Sequence, residues 1–173
     1  MGLVLAVGES MAKITFRGQS EYFEKLQQLE QAFAKDSTLE RAVRAGAAPV
    51  ADQIRRNLGA IPAEPFRKLK DGELIHGLSK SEKKDLEESF GLSPISRDRN
   101  GFVHTKAGFD GYGSFPTKTY PQGVPHALVA RAAESGSSVR QKVPFVRPAV
   151  NATRQEAIEA MEDVVDDELK KIF

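Results

Sequence analysis

Cysteine is absent from this chain of 173 residues, and so is tryptophan. Ten phenylalanines stand beside three tyrosines, so phenylalanine supplies most of the aromatic content. Without cysteine the protein forms no disulfide, binds no zinc through thiolates and uses no cysteine nucleophile. The absence agrees with folding in a reducing compartment such as the cytosol.

An excess of charge of one sign is also missing, because the formal net charge is only +1 at pH 7. Proteins that coat nucleic acid usually carry a strong basic excess, since phosphate neutralisation supplies most of their affinity. The balance therefore argues against a dedicated DNA-binding protein. An apolar fraction of 40% and a charged fraction of 28% are ordinary for a folded domain, and the length suits one domain with a real core.

Long apolar runs are lacking as well. No window approaches the roughly 18 apolar residues of a membrane helix, so we expect no membrane contact. The short run from Leu3 to Val7 has no preceding Lys or Arg, which a secretory signal requires. Ala6 stands where a myristoylation motif has Ser or Thr. We expect residues 1–12 to be an extended N-terminal arm, or to reflect a start codon placed ahead of a natural start at Met11.

Apolar residues recur every three or four positions in two segments that follow a short strand. The strand is predicted over Lys13 to Arg17, where polar and apolar residues alternate. The first helix is predicted from Ser20, as N-cap, to about Ala34. The second begins at Asp36 or Ser37 and reaches Leu58, with a kink expected near Pro49.

Glycine and proline divide the middle of the chain into short elements and two loops. Exposed loops are predicted at about 59–78 and 110–125. Between them, the pattern predicts a short helix over Glu82 to Phe90, an Asn-Gly turn and a strand over Gly101 to Phe109. The run from Ala127 to Ala133 suits a strand or a helix, and we predict a strand from its small and β-branched residues.

A long last helix is predicted from Arg147 or Pro148 to Lys171. It carries an apolar stripe on one face and acidic residues on the other: Glu156, Glu159, Glu162, Asp163, Asp166 and Asp167. Together these elements predict one α+β domain over 13–173. It would hold a small antiparallel β-sheet packed by two N-terminal helices and a long C-terminal helix.

The sequence predicts no catalytic, cofactor-binding or metal site. The three histidines, His76, His104 and His126, are not at ligand spacing from one another. The glycines around Gly111 lead into further turn residues and not into a helix, so they do not form a phosphate loop. A Gly-x-Ser-x-Gly elbow is absent. A small hydrolase is the enzymatic alternative, and ionisable side chains that converge in a deep pocket would favour it.

Two blocks of sequence resemble a known family. The first begins at Gly108-Phe-Asp-Gly-Tyr-Gly113 and continues through Tyr120-Pro121 and the small-residue segment Pro125 to Arg131 into Glu134-Ser-Gly-Ser-Ser138. After a loop, the second is Pro144-Phe-Val-Arg-Pro-Ala-Val150. These blocks are similar to those of the tail-completion (neck) proteins of long-tailed bacteriophages, and the resemblance covers about Met11 to the end. Many relatives carry Thr-Gly-Arg/Lys-Leu after the second helix, whereas this chain has Arg67-Lys-Leu-Lys70. That departure leaves the subtype open.

The resemblance implies a structural role in the virion and no enzymatic activity. Such proteins assemble in the host cytoplasm and then lie at the head-proximal end of the tail. Their partners are further copies in a ring and other neck proteins, such as the connector, the head-closure protein, the tail terminator or the tail tube. Tail termination and head closure remain alternatives to tail completion. A less favoured alternative is a DNA-contacting factor in the exit channel.

Candidate interface residues fall into two groups. Glu134, Gly136, Phe145, Arg147 and Pro148 belong to the family-like blocks. We expect Glu134 to be a fixed charge at a strand end, Arg147 to pair with a carboxylate of its own chain or a neighbour, and Phe145 to anchor the last helix. Arg41, Arg44, Arg55 and Arg56 form the second group, for a ring contact with the acidic last helix or non-specific contact with packaged DNA.

Overall fold

The structure, a computed structural model, describes residues 3–6, 13–16, 19–34, 37–114 and 116–172. These residues hold five helices and six strands. The helices are α1 (Gln19–Ala34), α2 (Ser37–Ala60), α3 (Lys80–Ser89), α4 (His126–Ser135) and α5 (Val146–Ile172). The strands are β1 (Leu3–Ala6), β2 (Lys13–Phe16), β3 (Phe90–Leu92), β4 (Ser96–Arg97), β5 (Val103–His104) and β6 (Ala107–Phe109). The α+β class predicted from the sequence is confirmed.

The long helices α2 and α5 pack antiparallel to each other and form the centre of the fold. Gly46 of α2 makes their close approach feasible, because a Cβ there would lie 2.6 Å from Cγ of Met161 and 2.9 Å from the carbonyl oxygen of Ala157. Near one end of the pair, Arg41 Nη2 lies 2.9 Å from Glu168 Oε2. Near the other, the Asn57 amide donates to the Phe145 carbonyl at 3.0 Å.

The hydrophobic core lies where α2, α3, α4 and the start of α5 meet. Its largest fully buried apolar side chains are Ile54, Leu58, Leu78, Leu86 and Phe145. Small residues of α4 and α5 complete it: Ala130, Ala133 and Ala149. Because alanine leaves room for the neighbouring helix backbone, these positions allow α4 and α5 to lie close to the larger side chains.

Within the described residues, the strands form three two-stranded antiparallel ladders and no continuous sheet: β1 with β2, β3 with β6 and β4 with β5. The strand predicted over Gly101 to Phe109 is therefore divided. Between β5 and β6, the Ser93 hydroxyl accepts from the Lys106 amide at 3.0 Å, and the Ser93 carbonyl accepts from the Thr105 hydroxyl at 2.8 Å. The predicted Asn-Gly turn is present, with Gly101 at φ 84°.

The strand predicted over Ala127 to Ala133 is wrong, because this segment is helix α4. Its buried residues, His126, Ala130 and Ala133, recur at steps of four and three, which is a helical period. Pro125 precedes its first turn and Gly136, at φ 80°, follows its last. Alanine has the highest helix propensity, and the alanines of this segment outweigh the β-branched Val129 that favoured a strand.

The last helix begins at Val146, slightly before the predicted start, and Arg147 is already helical. Pro148 lies in its first turn, where a missing N–H has no helical acceptor and costs nothing. No helix in the described ranges is long and apolar enough to cross a membrane.

Candidate functional site

The family-like blocks meet where α4 ends and α5 begins. One oxygen of the Glu134 carboxylate accepts hydrogen bonds from the amides of Phe145, at 2.7 Å, and Val146, at 2.8 Å. The other oxygen accepts from the amide of Arg147 at 3.0 Å. We call Glu134 and these three amides the Glu134 clasp. It satisfies donors that a helix N-terminus otherwise leaves without partners.

The clasp holds the carboxylate in its charged form. Burial removes water from Glu134 and works to raise its pKa, but the three amide hydrogen bonds and the charge of Arg147 together outweigh it. The pKa of Glu134 therefore lies below that of an ordinary carboxyl. A carboxylate that is ionised at neutral pH, with both oxygens engaged, suits a fixed structural charge better than general acid catalysis.

The other candidate residues of this group surround the clasp. Gly136 ends α4 in the left-handed region, and its amide donates to the Ala132 carbonyl at 3.0 Å. Phe145 is fully buried and packs its ring edge against Phe109, with centroids 6.0 Å apart. Arg147 contributes its backbone amide and its charge. The prediction that Glu134 ends a strand is wrong, because it lies in the last turn of α4.

A buried arginine that the sequence did not single out secures the loop between α4 and α5. Arg140 is 8% exposed and donates to the Gly77 carbonyl at 3.1 Å and to Glu82 at 2.7 Å. The second oxygen of Glu82 accepts from the amide of Ser79, whose hydroxyl accepts in turn from the Glu82 amide. This capping box ties the start of α3 to the loop. No local sequence pattern marks Arg140, since its partners lie far away in the chain.

A cavity of about 210 Å³ opens between α3, α4 and the loop before α4. Its apolar wall includes Leu86, Val124 and Val129, and its polar wall includes Asp85 and His126. Nδ1 of His126 lies 2.7 Å from the Asp110 carbonyl oxygen. Because a carbonyl only accepts, Nδ1 carries the hydrogen and Nε2 is free to accept. In the described part of the chain Nε2 is buried without a hydrogen-bond partner, 4.0 Å from Asp85 Oδ2.

The four candidate arginines of α2 differ in their surroundings. Arg41 pairs with Glu168 of α5, and the hydrogen bonds from Lys171 and Arg41 lower the pKa of Glu168. Arg55 pairs with Asp52 at 2.9 Å and stacks over the Phe90 ring, 5.3 Å from its centroid. Arg56 donates to Gln53, and Arg44 is exposed. The basic residues of α2 and the acidic residues of α5 were expected to pair between subunits. The Arg41–Glu168 pair instead forms within one chain.

The acidic side of α5 faces away from α2. Its six acidic residues that the sequence singled out, from Glu156 to Asp167, are all exposed. Outside this stripe, Glu168 is half-buried and paired with Arg41. The stripe therefore remains available for a partner.

No group of three or more His, Cys, Asp or Glu in the described ranges is placed to hold a metal ion. Comparison with known proteins adds no relative: no family model, no curated protein and no solved structure matches this chain.

Proposed function

We propose that this protein is a structural subunit of the neck of a tailed bacteriophage, of the tail-completion type, and that it has no enzymatic role. It would join the tail to the head connector in the virion, after assembly in the host cytoplasm. Its partners would be further copies of itself in a ring and the neighbouring neck proteins.

The observation that carries the proposal is the Glu134 clasp. The two blocks on which the resemblance to neck proteins depends are separate in sequence, yet their residues bond directly to one another, from Glu134 to the amides of Phe145, Val146 and Arg147. A motif pair whose members form one structural unit is more specific than two independent matches of the same length. These bonds give the residues of the two blocks one common structural role in this chain, and that supports the proposal.

The exposed surface also supports a role in an assembly. The acidic stripe on α5 is exposed, and it offers one face for contacts between subunits.

A DNA-contacting role is less well supported. Three of the four arginines of α2, namely Arg41, Arg55 and Arg56, donate to acceptors of their own chain. Charges that are already paired neutralise fewer phosphates, so they add less to DNA affinity.

The proposal is tested by deleting the gene from the phage that encodes it and imaging the lysate by negative-stain electron microscopy. We expect filled heads beside separate tails of normal length, and supplying the intact gene in trans should restore joined particles. Overlong tail tubes would instead indicate a tail terminator, and heads that lose their DNA would indicate head closure. Intact infectious virions from the deletion strain would overturn a neck function altogether.

A further inference from the structure

The cavity beside His126 has an apolar wall and an acidic group, Asp85, and the hairpin of β4 and β5 exposes an aromatic and a basic side chain, Phe102 and Arg99. We propose that the hairpin of one copy inserts Phe102 into this cavity of a second copy, with Arg99 facing Asp85. The inference rests on the proposed function only in taking another copy of the chain as the partner. It adds the two surfaces through which the copies meet.

The cavity has the size and lining of a site for an aromatic ring. Its volume of about 210 Å³ exceeds the roughly 150 Å³ in which an engineered protein cavity binds benzene. Leu86, Val124 and Val129 supply an apolar wall. Burial of an aromatic side chain in such a pocket is the usual anchor of a protein interface.

The polar wall of the cavity offers two hydrogen-bond acceptors, Asp85 Oδ2 and His126 Nε2. Asp85 Oδ2 and His126 Nε2 lie 4.0 Å apart, too far for a hydrogen bond between them. His126 is 9% exposed, and its Nε2 has no acceptor or donor partner among the described residues. A cationic group with several N–H donors could bond to both atoms at once, as a guanidinium does.

Neighbouring charges of the same chain are directed elsewhere. Lys83 donates to the carbonyls of Gly59 and Ile61, and Lys84 pairs with Glu88 at 3.7 Å. Glu82, the other acid at the cavity, is bonded to Arg140 and to the amide of Ser79. Asp85 is therefore the acidic group of the cavity wall that can receive a cation from outside.

The hairpin presents Phe102 on a well-ordered turn. Phe102 is 70% exposed, although phenylalanine is a large apolar residue. The Asp98 side chain accepts from the amides of Asn100 and Phe102, at 2.8 and 2.9 Å, and so fixes the turn. Arg99 is exposed within the same turn. An aromatic residue that is held in place before binding loses little conformational freedom on insertion.

The two surfaces lie on different parts of one chain, and Phe102 is exposed and so does not fill its own cavity. A contact between them is heterologous, and such contacts produce a closed ring or an open chain of subunits. A second copy is thus the partner that carries both halves of the contact.

Sedimentation velocity of the full-length protein tests the contact. We expect the unmodified chain to self-associate, and Phe102→Ala and Val129→Phe each to weaken association at least about tenfold. Val129→Phe fills the cavity from the α4 side. A mixture of the two variants keeps one functional surface on each chain, so it should form dimers and nothing larger. Val139→Ala, which shortens an exposed apolar residue elsewhere, is the matched control and should associate normally.

A charge exchange provides a second test that does not alter the core. Arg99→Asp and Asp85→Arg should each weaken association, and the double variant should recover most of it. Circular dichroism identifies any variant that has unfolded. A chain that stays monomeric throughout, or variants that associate like the unmodified protein, would overturn the inference. Neither result depends on the gene-deletion phenotype, so the neck proposal and this contact can fail separately.

Discussion

At the scale of single residues, Glu134 accepts the hydrogen bonds from the N-terminal amides of α5 that an N-cap side chain usually accepts. The residue lies eleven positions before Phe145, yet its carboxylate accepts from the amide of Phe145, just before α5, and from that of Val146, the first residue of α5. It can do so because α4 and α5 are joined by a short loop that reverses the chain. One side chain thus ties the start of α5 to the last turn of α4.

Substitution of Glu134 by glutamine tests this role. The variant keeps the shape but loses the charge, and we expect it to lower the free energy of unfolding at pH 7 by about 1–2 kcal/mol. The folded-state pKa of Glu134 is depressed, so its contribution is complete above the unfolded carboxyl pKa, roughly 4.3, and is lost as the pH falls through the folded value.

Urea unfolding at a series of pH values provides the measurement. The difference between the unmodified protein and Glu134→Gln should be largest near neutral pH and should shrink in acid. Glu156→Gln, an exposed change on α5, is the matched control and should have little effect at any pH. A constant difference across the whole range would show that the charge of Glu134 is not the stabilising feature.

At the scale of elements, hydrophobic periodicity was sufficient for the long helices and insufficient for helix α4. The stripes of α1, α2 and α5 extend over several turns, so their period is unambiguous. Helix α4 has ten residues, and an apolar run of that length fits a strand or a helix equally well. Its alanine content and the flanking Pro125 and Gly136 were the signals that favour a helix.

The candidate site was predictable as a set of residues but not as a set of bonds. Glu134 and Arg147 were singled out, and the structure does bring them together, but through a backbone amide of Arg147. Asp85 and His126 could not be paired from the sequence, because they belong to different helices and only tertiary packing brings them to one cavity. Local patterns contain no information on such partners.

Packing between α2 and α5 leads to a prediction that opposes helix propensity. Alanine is favoured over glycine in a helix by about 1 kcal/mol, so propensity alone predicts that Gly46→Ala is stabilising. A Cβ at this position would lie 2.9 Å from the Ala157 carbonyl oxygen, which cannot move without bending α5. We therefore expect Gly46→Ala to destabilise the protein by about 1–3 kcal/mol.

Thermal unfolding followed by circular dichroism decides between the two signs. Ala48 is exposed in the same helix, so Ala48→Gly should lower stability only by the difference in helix propensity between alanine and glycine. This variant therefore measures the propensity effect by itself. A Gly46→Ala protein with a raised midpoint would mean that α2 and α5 are less closely packed than described.

At the scale of the whole molecule, charges fall into those that hold the fold and those that face outward. Glu168 belongs to the first class, since it bonds to Arg41 and Lys171. Glu156, Glu159 and Asp163 belong to the second, because they lie exposed on the opposite side of α5. Reversing the charge of Glu168 should therefore affect stability, whereas reversing the exposed charges should affect assembly.

The combined change of Glu156, Glu159 and Asp163 to lysine should leave the melting temperature nearly unchanged, because exposed substitutions usually change stability by less than about 0.5 kcal/mol each. If the stripe contacts a neighbour, the same change should block virion assembly, measured as infectious titre after complementation of the deletion strain. Glu168→Lys is the contrasting control and should lower the melting temperature. A normal titre from the triple variant would rule out the stripe as an assembly surface.

The antiparallel pairing of α2 with α5 also determines when the protein can fold during its synthesis. Helix α2 emerges from the ribosome long before α5 has been translated, and at about 5–20 residues per second the interval is on the order of ten seconds. Throughout that time Ile54 and Leu58 lack the Phe145 and Ala149 side chains with which they share a core. A chain truncated before Phe145 would leave these apolar side chains of α2 without their core partners, so it would not reach the stable fold described here.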